Sequence, residues 1–127
     1  MLIADDNVEF VGSLRALLDC HPDLEVVAAA LSGPEAVHCA ASLSPDVAVL
    51  DIRMPGLSGI EVAQAITNSG MRVAVLILSQ SVDRPYLVAA VKAGAAGYLS
   101  KAASEDEIIS AVRMLAKGGS WFLPLPR

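Results

Sequence analysis

The sequence predicts an α/β fold, a doubly wound (βα)5 domain in which helices cover both faces of a five-stranded parallel sheet. Three observations carry this prediction. Short apolar runs alternate strictly with longer amphipathic ones along the 127 residues. The short runs lack the polar alternation of a half-solvated strand, as strands buried on both faces should. Three of the five amphipathic runs open on Ser-x-x-Glu, and three close on Gly, the local signals of helix starts and stops.

The elements follow in order. MLIA (1–4) reads as the first strand, followed by a helix at about 7–20 with Val8, Val11, Leu14, Leu17 and Leu18 on one face. LEVVAAAL (24–31) is the second strand, and Ser32-Gly-Pro-Glu35 announces a helix over 33–43. DVAVL (46–50) is the third, and Ser58-Gly-Ile-Glu61 opens a helix over 59–68 that Gly70 closes. VAVLIL (73–78) is the fourth, with a helix over 84–93 stopping at Gly94. GYLS (97–100) is the fifth, and Ser104-Glu-Asp-Glu107 starts a helix over 105–117 that ends at Gly118. Residues 1–117 then form the domain, and the tail 118–127, GGSWFLPLPR, is a linker stub.

Composition narrows the function classes. A chain of this length buries a core without disulfide or metal staples. A formal net charge of -5 argues against a surface built to neutralise nucleic-acid phosphates. Cys20 and Cys39 have no C-x-x-C spacing and read as small core residues of a reducing cytoplasm. His38, beside Cys39, points away from it on a helix, and His21 reads as a solvated helix end. No apolar run approaches the ~20 residues that a membrane span needs, so a soluble, cytoplasmic protein is expected.

Chemistry gathers at the strand ends. In open α/β sheets, sites form at the carboxyl ends of the strands. Here the first strand ends in Asp5-Asp6, the third in Asp51 and the fourth in Ser79, and Lys101 follows the fifth. An aspartate at one strand end is often a mere turn former, but four strands delivering these groups to one rim is a constellation. Crowded carboxylates repel by roughly 1 to 4 kcal/mol per pair at 4 Å and invite a hard divalent cation, for which all-oxygen ligation favours magnesium. A lone nucleophilic aspartate beside a lysine and a hydroxyl suits phosphoryl transfer. ADDNVE contains neither G-x-G-x-x-G nor a Walker A lysine, so the phosphoryl donor is expected from outside the chain.

LIADDN, LDIRMPGLSGIE, ILS and AGAAGYLSK, in this order and spacing, resemble the response-regulator receiver domain of two-component signalling, and the wording is most similar to the NarL-type subgroup. The resemblance covers almost the whole chain. It implies a flavodoxin-like strand order, 2-1-3-4-5. It implies that Asp51 accepts a phosphoryl group from the phosphohistidine of a sensor histidine kinase. Mg2+ would be held by Asp6, Asp51 and the backbone carbonyl of Arg53, with Asp5 acting through a water. Lys101 and Ser79 would contact the phosphoryl oxygens, and Ser79 with Tyr98, moving inward, would relay the change to the surface of the fourth helix, fifth strand and fifth helix. Such a domain is no turnover enzyme, since it catalyses only its own phosphorylation and dephosphorylation. Receivers of this subgroup usually precede a LuxR-type helix-turn-helix that controls transcription, and here the chain stops at Arg127, about where a linker would begin.

Departures from the family pattern are Asn7 in place of His or Glu, the bulkier Gln80 after Ser79, and a first strand that begins at Met1. Arg84, Lys92, Glu105, Asp106, Arg113 and Lys117 give the relay surface charges of both signs, which suits a homodimer. Two other readings stay open. One is a degenerate receiver, an interaction module independent of phosphorylation; the other is a magnesium-dependent phosphohydrolase, against which Arg53 stands where such enzymes carry a second aspartate.

Overall fold

The structure, a computed structural model, describes residues 1–80 and 83–122. Its parallel sheet has six strands in the order β2-β1-β3-β4-β5-β6. The strands are β1 (Leu2–Ala4), β2 (Ala28–Ala30), β3 (Val47–Leu50), β4 (Ala74–Ser79), β5 (Gly97–Ser100) and β6 (Trp121–Phe122). The helices are α1 (Val8–Asp19), α2 (Gly33–Leu43), α3 (Gly59–Asn68), α4 (Arg84–Lys92) and α5 (Glu105–Ala116). The predicted fold class and the order of the first five strands are as expected; the sixth strand is an addition. No helix among the described residues is long and apolar enough to cross a membrane.

Side-chain alternation along the strands divides the core in two. Leu2, Ala4, Ala48, Leu50, Val75, Ile77 and Tyr98 face the layer made by α2, α3 and α4. Ile3, Val47, Val49, Leu76, Leu78 and Leu99 face α1 and α5, where Leu14, Leu18, Ile109, Val112 and Leu115 meet them. Successive residues of a strand point to opposite faces, so each strand must be apolar throughout when both faces are covered. That requirement explains the unbroken runs in the sequence.

The helix signals hold in graded form. Ser58 and Glu61 make the full reciprocal capping box. Ser32 and Ser104 accept from the Glu35 and Glu107 amides. Gly70, Gly94 and Gly118 all have positive φ, as helix-terminating residues do.

Three expectations are corrected. The second strand occupies 28–30 rather than 24–31, because Leu24 is held in a turn where its N–H donates a hydrogen bond to the His21 carbonyl oxygen, and Val27 and Leu31 stand exposed on either side. Cys20 is exposed, at the end of α1, while Cys39 is half-buried and burial pushes its thiol pKa up. His21 is not simply solvated: its Nδ1 lies 3.1 Å from the Leu17 carbonyl oxygen, the bond a last-turn histidine can offer.

Part of the tail forms β6. Trp121 donates its amide to Ala96 O at 3.0 Å, and its register partner on β5 is Gly97. Trp121 packs into the α1/α5 layer. A Cβ on Gly97 would lie 2.8 Å from the Trp121 carbonyl oxygen and 2.8 Å from Leu76 Cδ1, so the glycine is what lets β6 close on the sheet. Pro124 and Pro126 of the tail lie outside the described residues.

Gly97→Ala should therefore push β6 outward and cost about 1–3 kcal/mol, as overpacking does. Trp121 is the chain's one tryptophan and reports the event: its emission should shift to the red and the Tm should fall. An unchanged emission spectrum would show that β6 does not depend on this contact.

Candidate functional site

The backbone ladders run out where the polar groups begin, and this pins the groups to one rim. Asp5 donates its amide to Ala30 O at 3.1 Å and Asp51 its amide to Ala4 O at 2.9 Å, while Lys101 bonds Ser79 O at 2.9 Å. Asp5, Asp51 and Lys101 thus each stand one step beyond a paired strand, held by the sheet itself. The turn after Asp51 is equally constrained. Gly59 donates to Ile52 O at 2.9 Å, and a Cβ at Gly59 would fall 2.1 Å from the Asp51 carbonyl oxygen. Only glycine allows the start of α3 to pack this closely against the backbone of Asp51.

The side chains converge as the strand ends suggested. Carboxylate oxygens of Asp5, Asp6 and Asp51 lie within 4.8 Å of one another. Asp5 and Asp51 are buried, and Asp6 is exposed. Lys101 Nζ lies 2.6 Å from Asp5 Oδ2 and 3.4 Å from Asp51 Oδ2. These groups line a cavity of about 250 Å³ whose walls also carry Asn7, Arg53, Ser79 and Gln80. Three carboxylates against one ammonium leave the cluster short of positive charge.

The donor set fits a hard cation. Asp5 Oδ2 is buried and receives no hydrogen bond of standard geometry, although the ammonium is close, so its lone pairs are not fully engaged. A buried oxygen of this kind, grouped with two further carboxylates, is what magnesium binds. Asp5 thus belongs to the cluster together with Asp6 and Asp51. Arg53 lines the cavity, as expected of a residue two places beyond Asp51.

Ser79 is buried at the end of β4, and Tyr98 is fully buried on the neighbouring strand β5. The two side chains are hydrogen-bonded, and burial raises the Tyr98 phenol pKa against that bond. Tyr98 is thus already inside the fold rather than on its surface.

Two contributions were not legible in advance. Asn7 does more than begin α1: its amide donates to Asp5 Oδ1 at 2.9 Å, and its own Oδ1 caps the helix at the Phe10 amide, 3.1 Å away. Phe10 places its ring 4.5 Å from Lys101 Nζ. An aromatic in the first turn of a helix that follows an acidic strand end is the only signal the sequence offers for that contact.

Comparison with known proteins adds the following. The family model described as the response regulator receiver domain matches residues 1–113. The uncharacterized transcriptional regulatory protein YvfU of Bacillus subtilis is 40% identical over 124 residues, which is 98% of this chain and 62% of that protein. The transcriptional regulatory protein DesR of the same organism is 34% identical, over 98% of this chain and 61% of its own length. The chain thus spans about three-fifths of these relatives. Among solved structures, the signal receiver domain of the response regulator NarL from Mycobacterium tuberculosis superposes with a TM-score of 0.90 at 34% identity, covering 92% of this chain and 94% of that one. A LuxR-family two-component response regulator from Aurantimonas superposes with a TM-score of 0.91 at 28% identity, over 97% of this chain and 88% of the other.

Burial raises the Asp51 pKa, the Asp5 charge raises it further, and Lys101 opposes both. The folded value therefore lies above the unfolded one, about 3.9. The folded chain holds this proton more tightly, so ionised Asp51 costs stability at neutral pH and costs nothing below the unfolded value. In the metal-free protein, Asp51→Asn should raise the Tm at pH 7, and the gain should fade as the pH falls toward about 4 and be absent below it. Thermal scans across this range check it; a Tm at pH 7 no higher than that of the unsubstituted chain would contradict the assigned burial cost.

Proposed function

The chain belongs to the response regulator receiver domain family, and on that premise we propose that it is a phosphorylation-dependent switch whose phosphoacceptor is Asp51. The observation that carries this reading is a buried carboxylate at the end of β3 with an ammonium 3.4 Å from its Oδ2 and two further carboxylates beside it. The donor is the phosphohistidine of a sensor histidine kinase. An Asp51 carboxylate oxygen attacks phosphorus, the N–P bond breaks, and its electron pair returns to the imidazole.

The other residues serve that transfer. Asp6, Asp51 and the Arg53 carbonyl, with Asp5 through a water, would hold Mg2+, which when bound offsets the crowded negative charge of carboxylates and phosphoryl oxygens. The Lys101 ammonium pairs with a phosphoryl oxygen through a charge-assisted hydrogen bond. The Ser79 hydroxyl donates to another. Because Ser79 is already bonded to Tyr98, turning toward the phosphoryl group changes what Tyr98 packs against, and the change reaches β5 and its flanking helices. The domain acts on itself and turns over no separate substrate.

Output is a protein contact made in the cytoplasm. The relatives named above are transcriptional regulators longer than this chain, and we extend their role to this one through an effector domain beyond residues 1–117. With a net charge of -5 the chain does not bind nucleic acid by itself. Phosphorylation favours a homodimer through α4, β5 and α5. Two features refine that surface: β6 lies along the β5 edge, and Arg113 is already paired with Asp23 by bonds of 2.9 and 3.0 Å, which leaves Arg84, Lys92, Lys117, Glu105 and Asp106 for a partner.

Incubation with acetyl phosphate and magnesium tests the reading. The chain should gain one acid-labile phosphate by intact mass, Asp51→Asn should gain none, and sedimentation velocity should show the phosphorylated form heavier. No gain in the unsubstituted chain would instead make it a phosphorylation-independent interaction module, continuous turnover would make it a hydrolase, and a phosphorylated monomer at every concentration would end the dimer.

A further inference from the structure

Phe10 takes no part in the transfer described above, yet it stands against the ammonium on which that transfer relies. Its ring centroid lies 4.5 Å from Lys101 Nζ, inside the roughly 6 Å range of a cation–π contact. The backbone that carries the ring is anchored to the site. Asp5 Oδ1 accepts the Asn7 amide at 2.9 Å, Asn7 Oδ1 accepts the Phe10 amide at 3.1 Å, and Lys101 Nζ returns to Asp5 Oδ2 at 2.6 Å. Asp5, Asn7, Phe10 and Lys101 therefore close a circuit in which the aromatic ring is one fixed wall of the ammonium's position.

The space around Lys101 shows why a wall is needed. A second recess of about 380 Å³ adjoins the acidic cavity; Lys101 and Gln80 line both, and Phe10 lines the second. A lysine ammonium rides on a flexible four-carbon stem and is strongly hydrated, so an open recess beside it draws it away from the carboxylates. A third carboxylate would hold it too, but would compete with an arriving phosphoryl oxygen for the same N–H donors. A ring face attracts the charge and offers no acceptor that must be displaced.

We infer that Phe10 is a positioning residue for Lys101, holding the ammonium beside Asp51 so that a phosphoryl oxygen meets a cation already in place. This rests on Asp51 being the phosphoacceptor, and the test separates the two ideas. Binding of beryllium fluoride with magnesium, a phosphoryl mimic, is measured by calorimetry for the unsubstituted chain, Phe10→Leu and Phe10→Tyr. In parallel, the Lys101 Hε resonances are followed by NMR without any ligand, since a proton over a ring face is shifted upfield.

Phe10→Leu keeps an apolar side chain in the half-buried site and removes the ring, so the mimic should bind roughly tenfold more weakly. Phe10→Tyr should restore the affinity, and the upfield Hε shift should be present with Phe or Tyr and absent with Leu. Equal affinity for Phe10→Leu and the unsubstituted chain overturns the inference, as does a Tyr variant as weak as the Leu variant. If no variant binds the mimic, the phosphoacceptor reading fails. The Hε shift then decides this inference alone: an upfield shift lost in Phe10→Leu sustains the placement of Lys101 by Phe10, and its absence from the unsubstituted chain overturns it.

Discussion

Two carboxylates are buried at adjacent strand ends, and a single lysine stands between them. Lys101 Nζ reaches Asp5 Oδ2 at 2.6 Å and Asp51 Oδ2 at 3.4 Å, with Asp6 nearby in solvent. Burying an ionised carboxylate is costly unless it is paired, and one ammonium cannot fully pair two. The fold accepts that cost in one place and arranges the rest of the molecule to hold it. Strand ladders fix Asp5, Asp51, Ser79 and Lys101 by backbone bonds, and the close approach of Gly59 locks the turn behind Asp51. A site left short of positive charge in this way suits a hard cation.

The same sheet that holds the site also ties it to the packed interior. Ser79 ends β4 and Tyr98 lies on β5, two strands in direct register. Tyr98 is fully buried in the layer shared with α3 and α4, so a change at Ser79 is felt by packed side chains rather than by solvent. Cores at crystal-like density transmit displacement because they have no free volume to absorb it. On the far side of β5, Phe122 of β6 is the register partner of Tyr98, which puts the C-terminal end of the described chain next to the buried phenol.

Much of this was legible in the residues. The unbroken apolar runs of β1, β3 and β4 specify strands covered on both faces, and the serine caps specify where α2, α3 and α5 begin. Asp5, Asp6, Asp51, Ser79 and Lys101 could be placed on one rim because strand ends in a parallel sheet share an edge. What could not be read were contacts that depend on lateral position. β2 was overestimated because LEVVAAAL is apolar at every position but Glu25, whereas pairing at a sheet edge is limited by the three residues of β1. β6 was missed because two residues carry no periodicity and their pairing depends on the absent side chain of Gly97, more than twenty residues earlier. The Phe10 ring meets Lys101 across 91 positions, which no local pattern records.

The central claim is that the acidic cluster is held one cation short by its own lysine. Calorimetric titration with Mg2+ alone tests this most directly. The account predicts one saturable site, weaker in Asp6→Asn because an anionic ligand is lost, and tighter in Lys101→Ala because the ammonium no longer competes for Asp5. Magnesium affinity that is unchanged in Asp6→Asn, or reduced in Lys101→Ala, would contradict it.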